Sequence, residues 1–102
     1  MAGLISFFFV IDIIVKFSKD APSVESMLPR INEIFSGVLE VDGVESFCVF
    51  RNCINRDNRY DIMIQIDMSR ESLENYDNCQ AHIIWKEEFF AYIEKKAIFD
   101  FE

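Results

Sequence analysis

The sequence predicts an α+β domain built on a four-stranded antiparallel sheet with helices on one face, in the order β-α-β-β-α-α-β. Three observations carry this. Residues 5–17 and 60–68 alternate with the two-residue period of strands. Segments starting at Val24 and Gln80 carry apolar stripes at helical spacing. The chain also ends on Ile98-Phe99-Asp100-Phe101-Glu102, which reads as a final strand.

In the first strand Ile5, Phe7, Phe9, Ile11, Ile13, Val15 and Phe17 share one face, and Ser6, Phe8, Val10, Asp12, Ile14 and Lys16 share the other. Apolar residues on both faces imply cover on both sides. Ser23 is suited to cap a helix whose stripe is Val24, Met27/Leu28, Ile31, Ile34/Phe35 and Val38, ending near Val41 before the Asp42-Gly43 turn. Pro29 lies inside that helix and removes its bond to the Glu25 carbonyl, so a kink or a separate first turn is expected. Val44–Arg51 and Tyr60–Met68 are the second and third strands, joined by a polar loop. Ser69 starts a short helix with Glu71 in its first turn and with Leu73 and Tyr76 facing inward. A longer helix over Gln80–Lys96 presents Trp85, Phe89, Tyr92 and Ile93, with Lys95 and Lys96 at its C-terminus. Ala97–Phe101 is the last strand.

This order is the split βαβ, ferredoxin-like pattern. Two long helices cover only one sheet face. The other is expected to carry Phe8, Val10, Ile14, Phe47, Val49 and Met63, more apolar surface than a monomer leaves in water. The simplest cover is a second copy packed sheet to sheet, giving a homodimer through the open sheet face.

The 102 residues fit a single domain, with 51% apolar residues, eleven phenylalanines and only three glycines. A formal charge of −8 opposes binding to nucleic acid and to acidic membrane surfaces. The apolar run Leu4–Val15 lacks a basic flank, contains Asp12 and is too short to span a bilayer. Cys48, Cys53 and Cys79 are an odd set without a CxxC pair, which fits buried, reduced thiols and a cytoplasmic location.

His82 is the only histidine, six residues after Tyr76 and at the start of the long helix. An imidazole that titrates near neutrality beside a phenol can act as a general acid/base pair. Ile11, Ile62, Ile64, Trp85 and Phe89 are the candidate lining of an apolar ligand pocket between sheet and helix. On the structural alternative, His82 bonds a backbone group at the helix start and Tyr76 is a packing anchor. Asp12, alternating onto the open face, needs a partner such as Lys16 or Arg51, unless a one-residue bulge turns it towards the pocket. Cys79 and His82 have the spacing of a metal-ligand pair, but no second Cys/His cluster completes a site. Neither metal nor cofactor is expected.

Val15-Lys16-Phe17, Asp42-Gly43-Val44-Glu45-Ser46-Phe47, Arg59-Tyr60-Asp61, Ser69-x-x-Ser-Leu73-x-x-Tyr76, Ala81-His82 and Phe99-Asp100-Phe101-Glu102 occur in an order that resembles the stress-responsive A/B barrel family, the dimeric α/β barrel proteins. The resemblance covers residues 11–102, with 1–10 as an extension of the first strand. It implies a homodimer whose two sheets form a central barrel. In polyketide cyclases of that family a tyrosine and a histidine spaced as Tyr76 and His82 serve catalysis, and the further histidine of their site corresponds to Ile11 here. The resemblance therefore implies a small-molecule-binding or stress-associated module, with a cyclase- or lyase-like enzyme as the alternative and a purely structural oligomer as the third reading.

Overall fold

Strand β1 occupies Phe9–Phe17 in a computed structural model that describes residues 9–102. The expected strand positions 5–8, Phe8 among them, lie outside the described residues. Helix α1 (Val24–Ser36) follows, then a single 3-10 turn over Gly37–Glu40. Strands β2 (Val44–Arg51) and β3 (Ile62–Met68) come next. After a 3-10 turn at Arg70–Ser72 come α2 (Leu73–Asp77), α3 (Gln80–Phe89), another 3-10 turn at Phe90–Tyr92 and β4 (Ile93–Phe101). The sheet is antiparallel throughout, in the order β2-β3-β1-β4, with all helices on one side. No helix among the described residues is long and apolar enough to cross a membrane.

From Ile11 onward the pleat sorts β1, whereas Val10 is buried although it faces the open side. Ile11, Ile13, Val15 and Phe17 are buried beneath the helices, while Asp12, Ile14 and Lys16 on the opposite face are half-buried. In β3, Ile62, Ile64, Ile66 and Met68 face the helices, which return Met27, Ile31, Ile34, Phe35, Trp85 and Phe89. Trp85 lies edge-on to Phe35 with ring centroids 5.2 Å apart and stacks on Phe89 at 4.9 Å. Ser23 caps α1 by accepting from the Ser26 backbone N–H at 3.2 Å. The helix continues through Pro29 as one element, because a single missing bond near the N-terminus costs less than detaching Met27 from the core. On the outer side, Arg30 bridges Glu33 of its own helix and Glu88 of α3.

Two sequence-based boundaries are corrected. The last helix stops at Phe89 rather than Lys96, and Ile93, Lys95 and Lys96 belong to β4. Pairing decides this: Ile93 lies opposite Phe17, Lys95 opposite Lys16 and Lys96 opposite Val15, so a longer helix would strip β1 of its neighbour. The face of β2 is also reversed. Phe47 and Val49 pair with Ile66 and Ile64 and therefore face the helices, leaving Ser46, Cys48 and Phe50 on the open side. Both alternations of this strand contain apolar residues, so only register fixes its face. Val10, Ile14 and Met63 do lie on the open face, joined by Phe50, Phe99 and Phe101.

One turn ties the sheet to α2. Gly43 has φ +87°, and a Cβ there would sit 2.0 Å from Ser72 Oγ. The buried Ser72 hydroxyl donates to the Asp42 carbonyl at 2.7 Å and meets Ser69 Oγ at 2.7 Å. The Ser69 N–H donates to the Gly43 carbonyl at 2.8 Å. The end of β3 and the start of α2 are thereby locked to the β2 turn.

Candidate functional site

Tyr76 and His82 are brought together by a tight link. Asn78 and Cys79 close the end of α2 through backbone bonds to Glu74 and Tyr76, and Cys79 then sits extended at the start of α3. The two rings face each other with centroids 5.0 Å apart, tilted by 32°. His82 Nδ1 lies 2.8 Å from the Asp77 carbonyl. A carbonyl only accepts, so Nδ1 carries the proton and the neutral ring keeps its lone pair on Nε2. That is the tautomer a general base needs.

Tyr76 is only 3% exposed, and its hydroxyl has no hydrogen-bond partner among the described residues. Burial pushes the phenol well above its usual value of 10, and the nearby Cys79 and Asp77 raise it further. It is a proton donor, held neutral across the physiological range.

Beside this pair is a cavity of about 360 Å³. Its floor is Ile11 and Ile13 of β1, its far wall Lys96, Ile98 and Asp100 of β4, and its near wall Leu73, Tyr76 and Asp77 of α2 with His82, Trp85 and Lys86 of α3. The cavity exists because α2 is one short turn that leaves the outer part of β4 uncovered, so Ile98 on the helix side remains 57% exposed. Of the residues singled out from the sequence, Ile11, Tyr76, His82 and Trp85 line this space. Ile62, Ile64 and Phe89 do not; they are packed in the closed core.

The cavity also holds residues that sequence reasoning missed, namely Asp77, Lys86, Lys96, Ile98 and Asp100. In the sequence Lys96 reads as part of a helix C-terminus, and Lys86 carries no signal of its own. The only available signal was the i, i+2, i+4 spacing of Lys96, Ile98 and Asp100, which a correct β4 boundary would have exposed.

Asp12 remains on the open face, since the register shift in the β1–β4 pairing falls later, opposite Lys16 and Phe17, where Glu94 of β4 is the extra residue. Its partner is Gln65 Nε2 at 2.9 Å, not a cation. Lys16 bonds instead to the carbonyls of Asp57 and Arg59, and Arg51 pairs with Glu25. The thiols differ from expectation, with Cys48 and Cys53 exposed and Cys79 half-buried. Among the described residues no group of three or more His, Cys, Asp or Glu side chains is placed to hold a metal ion.

No family model matches the sequence, and no curated protein matches it. Solved structures do match. A dimeric protein of unknown function and ferredoxin-like fold from Bacteroides fragilis is 17% identical, with 93% of this chain and 95% of that one covered at a TM-score of 0.70. A dabb-family protein with a ferredoxin-like fold from Mesorhizobium loti is 13% identical, with coverage of 93% and 95% and a TM-score of 0.69. A hydroxynitrile lyase from Passiflora edulis is 9% identical, with coverage of 92% and 91% and a TM-score of 0.72. At such identities the likeness is one of backbone, and with the strand order and helix placement it establishes this chain as a ferredoxin-like α+β fold.

Proposed function

We propose that this chain is a homodimeric protein of the A/B barrel type, a single domain over residues 1–102, that binds a small apolar molecule in the cavity between α2, α3 and the sheet. The observation that carries the reading is an open space of about 360 Å³ in which Trp85 forms a wall rather than a plug, beside a buried hydroxyl with no partner among the described residues. Spaces of that size suit a compact ligand, and a shielded, unpartnered donor is a cost that a bound acceptor removes after a small adjustment. The exposed Phe50, Phe99 and Phe101 of the open face support the dimer, as does the dimeric Bacteroides fragilis protein of like fold.

A second reading, a cyclase- or lyase-like enzyme related in pattern to olivetolic acid cyclase, draws on the tautomer of His82. Its Nε2 would take a proton from an activated carbon, and Tyr76 would donate to the enolate oxygen that develops. The hydroxynitrile lyase of like fold shows only that this backbone is compatible with an enzyme of the lyase class.

Trp85 is the sole tryptophan, so its fluorescence reports occupancy of the cavity. Titration with 1-anilinonaphthalene-8-sulfonate should quench it saturably. Ile98→Asp, which replaces the one apolar residue of the β4 wall with a charge, should weaken binding about ten-fold, equivalent to about 1.4 kcal/mol. Ile83→Asp on the exposed side of α3 should leave it unchanged. Equal affinity in all three proteins would remove the binding reading. Loss of turnover in His82→Ala with dye affinity retained, on a linear polyketide thioester or a cyanohydrin, would favour the enzyme over the binding module.

A further inference from the structure

Three of the chain's five arginines, Arg51, Arg56 and Arg59, line a second cavity, of about 640 Å³, between the β2–β3 loop and the first turn of α1. This concentration occurs in a protein with a net charge of −8. The two carboxylates in the same lining are already committed. Glu25 pairs with Arg51 at 3.0 Å, and Asp61 accepts from the Phe17 backbone N–H at 2.8 Å. Arg59 reaches only the neighbouring Asn58 Oδ1 at 2.7 Å, and Arg56 has no side-chain partner among the described residues. Two guanidinium forks are therefore left with most of their donors free.

The loop that carries them is pre-shaped. Asn52 Nδ2 donates to the Tyr60 carbonyl at 2.7 Å, and Asn52 Oδ1 accepts from the Ile54 N–H at 2.8 Å. Lys16 Nζ clamps the loop from behind, donating to the Asp57 carbonyl at 2.8 Å and the Arg59 carbonyl at 3.2 Å. Arg56 makes no side-chain bond within this loop, and Arg59 makes only the one to its neighbour Asn58. The same cavity offers the Tyr60 ring and Ile54, an aliphatic side chain left 45% exposed. Guanidinium forks beside a ring and an apolar side chain match a tetrahedral dianion joined to a planar group.

We infer that this cavity binds a phosphate monoester of a ring-bearing small molecule, the chemistry of a nucleoside monophosphate. Arg56 and Arg59 hold the phosphate and Tyr60 with Ile54 holds the ring. The net negative charge repels an anionic membrane, so the phosphate belongs to a soluble ligand. The site is separate from the Tyr76–His82 cavity and stands or falls independently of it.

Isothermal titration of the full chain with adenosine 5′-monophosphate and with phenyl phosphate at low salt tests this. Saturable binding is expected, with adenosine and inorganic phosphate each about ten-fold weaker because each lacks half of the contacts. Arg56→Gln and Arg59→Gln should each weaken binding about five-fold or more and the double variant abolish it, with Tm shifted by no more than about 2 °C, as neither side chain supports the fold. Arg70→Gln, at the far end of the sheet, should behave as wild type. The inference is overturned if neither phosphate ester binds, if Arg70→Gln is as damaging as Arg56→Gln, or if inorganic phosphate binds as tightly as the esters. Co-sedimentation with phosphatidic acid vesicles, lost in the double variant, would overturn the soluble source.

Discussion

Tyr76 is the residue where structure and chemistry pull hardest against each other. Its ring packs against His82 and lines the cavity, yet its hydroxyl is buried with no acceptor in reach among the described residues. Leaving such a group unpaired costs about 1–3 kcal/mol. Tyr76→Phe should therefore raise Tm by several degrees, since about 1 kcal/mol moves a domain of this size by about 4–8 °C. The same change should weaken ligand binding in the cavity. A lowered Tm would mean that the hydroxyl is satisfied after all. The pH dependence follows with a definite sign. The folded phenol is raised above its unfolded value of about 10, so its contribution to stability is full below about pH 10 and is lost as pH climbs towards the folded value. Thermal melts of wild type between pH 9 and higher alkalinity should fall more steeply than those of Tyr76→Phe. At this scale the sequence was partly legible. The spacing of Tyr76 and His82 is local and survives into the structure as a ring contact. The missing acceptor for the phenol could not be read, because it depends on what does not pack above it.

At the scale of elements, the Asp42-Gly43 turn does more than reverse the chain. It seats the Ser69–Ser72 pair that launches α2, and so sets where Tyr76 stands. Gly43→Ala combines left-handed backbone strain with a Cβ driven into Ser72 Oγ, and should cost about 2–3 kcal/mol. Because α2 is anchored there, dye binding at the Trp85 cavity should weaken in the folded fraction as well. An unchanged melt and an unchanged titration would show that the turn is not a structural anchor. The boundary between α3 and β4 illustrates a different rule. The residues after Phe89 have acceptable helical spacing, yet nine residues of β4 are extended because β1 needs an edge partner. Local propensity yields to pairing wherever the two compete for the same residues.

For the whole molecule, the open sheet face is the surface on which the proposed dimer rests. Phe50, Phe99 and Phe101 are 44%, 61% and 42% exposed on a surface that also holds Val10, Ile14 and Met63. Two of its polar interruptions are internally bonded, Asp12 by Gln65 and Asp67 by Ser46, so they can be covered without stranding a donor on Gln65 or Ser46. Phe99→Glu should convert a dimer in analytical ultracentrifugation to a monomer with the fold retained by circular dichroism. Sedimentation of wild type as a monomer at micromolar concentration would sink the proposed assembly. The order of strands and helices, the stripe of α1 and the inward face of β3 were determined by the sequence itself. Each is written in a period of two or 3.6 residues that a short window contains. Which face of β2 is buried, how early β4 begins, and that Lys86 and Lys96 meet Tyr76 and His82 around one cavity were decided only by the tertiary structure. Those features depend on register between segments distant in sequence, where a shift of one residue exchanges the two faces of a strand.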